Sequence, residues 1–217
     1  MATNFKIQKP KFFDELEEIK DSYQFEALFH EEKIKDKIIE NTTIEGKSFS
    51  GFTIDSCIFR KVIFQDCDFS RVDLLDVRFE NCDISNTFFL GSSINRVEFV
   101  DSKLIGARFD ESSVKDILLE NVSARYMNFP FSKMKNINIV NSHLQGAIFQ
   151  EVKKDKLSFE DTNLTNTYFN KTPLNKIDFT SCDITGIDVN IEDIAGAIIS
   201  PLQALELARL LGVTVKA

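Results

Sequence analysis

The chain has 217 residues, a net charge of −8 and a pI near 4.9. Its 43% apolar content can fill a core, while the acidic balance argues against a simple phosphate-binding protein. The longest apolar runs fall far short of the roughly 20 residues that span a bilayer. The opening MATNFKIQKPKFF has no secretory cleavage pattern, so a cytoplasmic protein is expected. The aromatic set is lopsided, with 21 Phe, 3 Tyr and no Trp.

Residues 1–40 differ in composition from the rest of the chain. In KFFDELEEIKDSYQFEALFHEEKIKDKII, Phe12, Leu16 and Ile19 recur at helical spacing among charges. This predicts a helix over 11–20 and a segment that caps the start of the next region. Partner binding by this region is the weaker alternative.

From 41 to 199 an apolar residue returns at every fifth position. All 32 positions ending in 4 or 9, from Ile44 to Ile199, hold Phe, Leu, Ile, Val or Met except Ala124 and Lys154, and 13 hold Phe. Five matches neither the 3.6 residues of a helical turn nor the period of 2 in a strand. The residue two before each centre is small or β-branched in most units, as in Cys57, Val62, Cys67, Val72 and Ser92. Gly46, Gly51, Gly91, Gly106, Gly146 and Gly186 fall two after a centre, where a bend would need positive φ.

CDFSR (67–71), VDLLD (72–76), CDISN (82–86) and TNLTN (162–166) resemble the pentapeptide-repeat family over about three quarters of the chain. The resemblance implies an all-β solenoid: a right-handed quadrilateral β-helix of about eight coils, one pentapeptide per side. Residues twenty apart should then stack. Positions 49, 69, 89, 109, 129, 149 and 169 are all Phe, and the column from 59 to 179 is Phe, Leu or Ile. The expected domains are a capping segment with a short helix (1–40), the β-helix (41–199) and a dimerisation helix with its tail (200–217). Lys154, a charge at a centre, predicts a bulge. Phe88, Ile148 and Tyr168 should share one outer column and could form an apolar contact patch; a lightly covered face is the alternative.

Cys57, Cys67, Cys82 and Cys182 all occupy the small inward slot and read as core residues. Paired CxxC spacing is absent, so a metal is not expected. His30 and His143 are isolated, and no phosphate loop or nucleophile motif is present. No catalytic, cofactor-binding or metal site is therefore predicted, and enzymatic activity is not expected.

At the C-terminus, Ser200 suits an N-cap, Pro201 the first helical position and Gln203 a capping box, with Gly212 as the stop. The helix is apolar nearly all round and must be covered all round. One face can close the last coil. The other suits a second copy about a two-fold axis, through Leu202, Leu205, Leu207, Leu210, Leu211, Val213 and Val215.

The unbroken acidic rod and the terminal SPLQALELARLLGVTV after IEDIAGAI are similar to the Qnr and MfpA-like quinolone-resistance proteins. That resemblance implies a homodimeric DNA mimic that binds DNA gyrase or topoisomerase IV, with drug protection or inhibition as the consequence. Projecting loops found in some members have no counterpart here, so protection is less strongly implied than binding. Residues 40–200 hold 24 acids against 17 bases, about a third of the charge of a duplex of equal length. Mimicry thus needs the acids to segregate. The candidate acidic surface comprises Asp66, Asp68, Asp73 and Asp76, together with Asp178, Asp183, Asp188, Glu192 and Asp193. Direct nucleic-acid binding and membrane association are not expected. The alternative function is an interaction scaffold for another protein partner.

Overall fold

The computed structural model describes residues 5–12, 15–19, 22–29 and 32–213. The chain winds as an all-parallel β-solenoid that closes one coil every twenty residues. Successive strands pair at that offset throughout: Thr53↔Asp73, Ile94↔Val114 and Ile137↔Leu157 belong to three such ladders. Each coil has four sides, named here by their interior columns. Face A is centred on Phe49, Phe69 and their successors, face B on Ile54 and Leu74, face C on Phe59 and Phe79, and face D on Phe64 and Ile84.

The long strands β4 (Thr53–Gln65), β5 (Asp73–Glu80), β6 (Ser93–Val100), β7 (Ser113–Glu120), β8 (Lys133–Val140) and β9 (Lys153–Glu160) run along face B and turn into face C. Faces D and A are joined from coil to coil by single bridges such as Asp83↔Lys103 and Asp68↔Phe88. From Asp36 to Lys176 every corner has one left-handed residue, and that residue stands two after a centre: Asn41 (φ 55°), Asp66 (φ 51°), Asn121 (φ 55°) and Gly146 (φ 68°) are examples. Asn, Asp and Gly tolerate this conformation best, which explains their recurrence at that slot. At Gly186 (φ 71°) a Cβ would also lie 2.3 Å from Asn166 Oδ1 one coil below.

The interior is dry and stacked. On face A, Phe49 and Phe69 lie 4.3 Å apart with planes at 9°, and Phe89 and Phe109 lie 4.6 Å apart at 5°. Face C repeats this with Phe59, Phe79 and Phe99 at 5.1 and 5.0 Å. Coil spacing of about 4.8 Å suits offset ring stacking. The slot two before each centre has a second task. Its hydroxyl or thiol donates to the carbonyl of the centre residue of the coil below, as Ser92 does to Phe69 O (3.0 Å), Thr167 to Leu144 O (3.1 Å) and Cys82 to Phe59 O (3.3 Å). All four cysteines are buried and unpaired. Burial pushes the Cys57 thiol up to about 12 and the Cys82 thiol to about 11.

The N-terminal region departs from the helix expected over 11–20. Glu17–Ile19 forms β1, which pairs in parallel with Lys37–Ile39 of β3 (Lys37–Glu45), while β2 (Lys33–Lys35) pairs with β4. The exposed edge of the first coil offers backbone partners, among them Asp36 O to Glu17 N–H at 2.9 Å. Such an edge outcompetes a short amphipathic helix, which is marginal by itself. The helix lies later, at Ser22–Leu28 (α1). After it comes Phe29, whose ring meets Phe49 at 5.1 Å and Phe52 at 5.3 Å, sealing the mouth of the solenoid. His30 lies outside the described residues.

Residues 5–12 form an extended strap along the corner between faces B and C. Its N–H groups reach Asn138 Oδ1 from Phe5, Asp116 Oδ1 from Gln8 and Asp76 Oδ1 from Lys11, at 3.3, 3.2 and 2.9 Å. Three extended residues span about 10 Å, the rise of two coils between Asp116 and Asp76.

The bulge expected at Lys154 does not occur: Met134↔Lys154 stays in register. The break comes one coil later, because the residues after β9 on face B form no further strand.

At the far end, α3 (Pro201–Leu207) carries the expected capping box of Ser200 and Gln203. The Gln203 amide also donates to Phe179 O at 2.7 Å and Cys182 O at 2.8 Å, and Glu206 accepts from Gly186 N–H at 3.1 Å. Polar side chains thus satisfy much of the last coil's open backbone.

Candidate protein-interaction surfaces

The solenoid decides which acids can act together. Neighbours in sequence five residues apart lie on successive faces; residues twenty apart share a face. The early acids are therefore scattered. Asp66 is exposed at the corner between faces D and A, Asp68 lies on face A and Asp73 is exposed on face B. Asp76 is corrected from surface to interior: it is 5% exposed, beneath the strap. There it holds Arg96 through two bonds of 2.6 Å and accepts the Lys11 N–H. Asp193 is corrected likewise. At 7% exposure it accepts from Lys171 N–H (2.8 Å) and Asn190 Nδ2 (2.9 Å), anchoring the short helix α2 (Ile191–Ile194).

The late acids do assemble. Asp178, Asp183 and Asp188 stand at equivalent outward positions on faces C, D and A of one turn, and Glu192 comes next on α2, exposed. Asp178 accepts from the Thr180 hydroxyl and N–H at 2.6 and 2.9 Å, which holds its pKa below the usual carboxylate value. Asp183 is lowered chiefly by the Thr185 N–H at 3.0 Å. Both remain ionised at neutral pH.

A second acidic feature is hidden in the linear order of residues. Along the corner between faces C and D, Glu80, Asp101, Glu120, Glu160 and Asp161 succeed one another up the rod. No base occupies their two columns from Glu80 onward. The ridge continues into Asp178 and Asp183. The signal that reveals it is the sequence arranged at a period of twenty; proximity of acids along the chain does not.

Outside face B, bases are largely neutralised one coil away. Arg60 bridges Glu40 (2.9 Å) and Glu80 (3.4 Å), and Lys103 meets Asp83 at 3.6 Å.

The C-terminal apolar set divides in two. Leu207 is buried in the core and Leu210 is half-buried against it. Leu202, Leu205, Leu211 and Val213 face outward, 53–78% exposed, with Ile191 and Ile198 beside them at about half exposure. Val215 lies outside the described residues. Face A carries a different apolar set, exposed except at half-buried Ile148. Ile148 and Tyr168 are bridged neighbours in one column with Phe88 three coils lower, and Tyr126 and Phe131 occupy the two corners of one side.

Among the described residues no helix is long and apolar enough to cross a membrane, and no group of three or more His, Cys, Asp or Glu could hold a metal ion.

Residues 72–149 match the family described as pentapeptide repeat region, and residues 15–109 match that of the SV2A/B/C luminal domain. No curated protein sequence matches the chain. Among solved structures, full-length QnrB1, a plasmid-mediated fluoroquinolone resistance protein, is similar at 20% identity, covering 81% of this chain and 100% of that one, with a TM-score of 0.47. Its trypsin-treated form gives 23% identity over 85% and 97%, also at 0.47. HetL, a pentapeptide repeat protein of the cyanobacterium Nostoc involved in heterocyst differentiation regulation, gives 13% over 83% and 98%, at 0.29. The matched stretch 72–149 lies inside a twenty-residue register that extends on both sides from Glu17 to Ile198, so the pentapeptide-repeat pattern of that stretch is set within a longer solenoid of the same period.

Proposed function

We propose that this protein is a DNA-mimicking, non-catalytic binding rod whose target is the DNA-holding surface of DNA gyrase or topoisomerase IV. The observation that carries this is the ridge from Glu80 to Asp183. Its seven acids span about five coils, or about 24 Å, over which one DNA strand places about seven phosphates. The rod as a whole is under-charged for mimicry; the ridge comes nearer, though within it Glu80 meets Arg60 and Arg78. The sequence resemblance of the C-terminal region to quinolone-resistance proteins supports the same target.

A homodimer completes the proposal. Two copies joined through Leu202, Leu205, Leu211 and Val213 would bring both rings of Asp178, Asp183, Asp188 and Glu192 to the centre of a double-length rod.

The test is gyrase supercoiling with and without a quinolone. Micromolar protein should inhibit supercoiling or restore it in the presence of drug. The variant Asp101→Asn, Glu120→Gln, Asp161→Asn should lose at least tenfold in potency. No effect of the wild type, or equal potency of the variant, refutes mimicry. The scaffold alternative is favoured by the exposed Tyr126, Phe131 and Tyr168 on and around face A, with half-buried Ile148 beside Tyr168. It predicts capture of a protein other than a topoisomerase, abolished by Tyr168→Ser and insensitive to the ridge variant.

A further inference from the structure

The upper half of face B has the opposite sign from the ridge. Its outward and corner positions at 53–56, 73–76 and 93–96 hold three Asp and one Arg. From 113–116 to 173–176 the same face holds seven Lys and two Asp, and one of those aspartates, Asp116, is 1% exposed. Lys133, Lys135, Lys153, Lys156 and Lys176 are exposed, and none makes an ion pair among the described residues. This contrasts with Arg60, Arg78, Lys103 and Lys171, which each meet an acid. The strap adds to the field, since exposed Lys6 and Lys9 run along the adjoining corner.

Lys154 is the independent sign of a site. It alone among the 32 centres is charged. The rule of the repeat calls for an apolar residue there, and the fold supplies little in exchange: Nζ reaches Asn175 O at 3.5 Å. Burial lowers its pKa. A lysine that costs core stability with little internal compensation is expected where binding needs it. The ladder also ends here, leaving an open groove between the coils lined by Lys153, Lys154 and Lys171 together with Glu151 and Asp155, of which Glu151 pairs with Lys171 at 3.0 Å.

We propose that this lysine face, centred on Lys154, binds the phosphate backbone of duplex DNA without reading sequence. From Lys115 to Lys176 the patch rises three coils, about 14 Å, over which a duplex carries about eight charges. Lys133 and Lys135 stand two strand residues apart, about 7 Å, and coils repeat at about 4.8 Å. This rigid lattice fits a regular, extended polyanion better than a compact anion, which needs convergent donors. This proposal stands against the expectation of no direct contact with nucleic acid, and the experiment below decides between them. The inference does not depend on the topoisomerase reading, and its test contains no topoisomerase.

Fluorescence anisotropy of a labelled 20-bp duplex with the full chain in about 50 mM salt decides it. The expected result is micromolar, sequence-independent binding whose log–log salt slope is about −4 to −5, for about five phosphates neutralised. Lys133→Glu, Lys135→Glu, Lys153→Glu should weaken binding at least tenfold. A control with the same charge change elsewhere, Lys61→Glu, Lys103→Glu, Arg125→Glu, should stay within twofold, and circular dichroism of both variants should match the wild type. Lys154→Met should raise Tm and weaken binding. Absence of binding, equal loss in both triple variants, competition by polyglutamate as strong as by DNA, or unchanged affinity in Lys154→Met would each overturn the proposal.

Discussion

At Asp178 the carboxylate accepts from the N–H and the hydroxyl of Thr180, and Asp183 does the same with the N–H of Thr185. Asn163 performs the same task neutrally, receiving the Thr165 N–H at 3.0 Å. The turn therefore needs an oxygen acceptor and not a charge. Asp178→Asn with Asp183→Asn should change stability by less than about 1 kcal/mol while weakening inhibition of gyrase, read by thermal melting beside the supercoiling assay. The sign of the pH effect is set by the lowered pKa values. A carboxylate held below its unfolded value stabilises the fold above that value and loses its contribution as pH falls through the lower, folded one. Wild-type stability should thus fall more steeply than that of the Asn variant as pH drops below the ordinary carboxylate range, as urea unfolding would measure.

The Phe columns and the strap carry the energetics of the elements. Phe109 stacks on Phe89 at 4.6 Å and on Phe129 at 5.0 Å, and it is 2% exposed. Phe109→Ala removes both stacks at mid-rod, where rigid coils above and below cannot collapse into the space. It should cost about 3–5 kcal/mol in chemical unfolding. Asp76 ties three elements together: the strap through Lys11, the corner of β5, and Arg96 on β6. Asp76→Ala strands the guanidinium half-covered, and a loss of about 3 kcal/mol is expected. Proteolysis within residues 5–12 should accelerate in the same variant. The cysteines carry a clear inward signal, since each sits in the small slot. Their role as donors to the coil below was not legible, because the accepting carbonyl is 23 residues away, as Phe59 is from Cys82.

For the whole molecule, the division of charge sets the expected behaviour. One corner is an acidic ridge, one half-face is basic, and the C-terminal end presents exposed leucines within a ring of acids. Leu205, 56% exposed and without a role in the core, is the residue to test for assembly. Leu205→Glu should convert a dimer of about twice the 24.8 kDa chain mass to monomer in light scattering. Its Tm at low protein concentration should be unchanged, since helix capping and Leu207 packing stay intact.

The one-dimensional order determined the period, the faces and the stacked columns of this protein. A repeat of five that keeps its phase from Ile44 to Ile199 admits one way to bury every centre, so the core was legible residue by residue. The C-terminal capping box was legible for the same reason: its partners lie three residues apart. The tertiary structure decided what is distant in sequence. It placed 5–12 along the rod, turned 17–19 from helix to strand because an open sheet edge was available, and buried Asp76 and Asp193. It also sorted charges by a period of twenty instead of five. Acids that looked clustered were dispersed to different faces, while Glu80, Asp101, Glu120 and Asp161, far apart in the chain, were brought into one line.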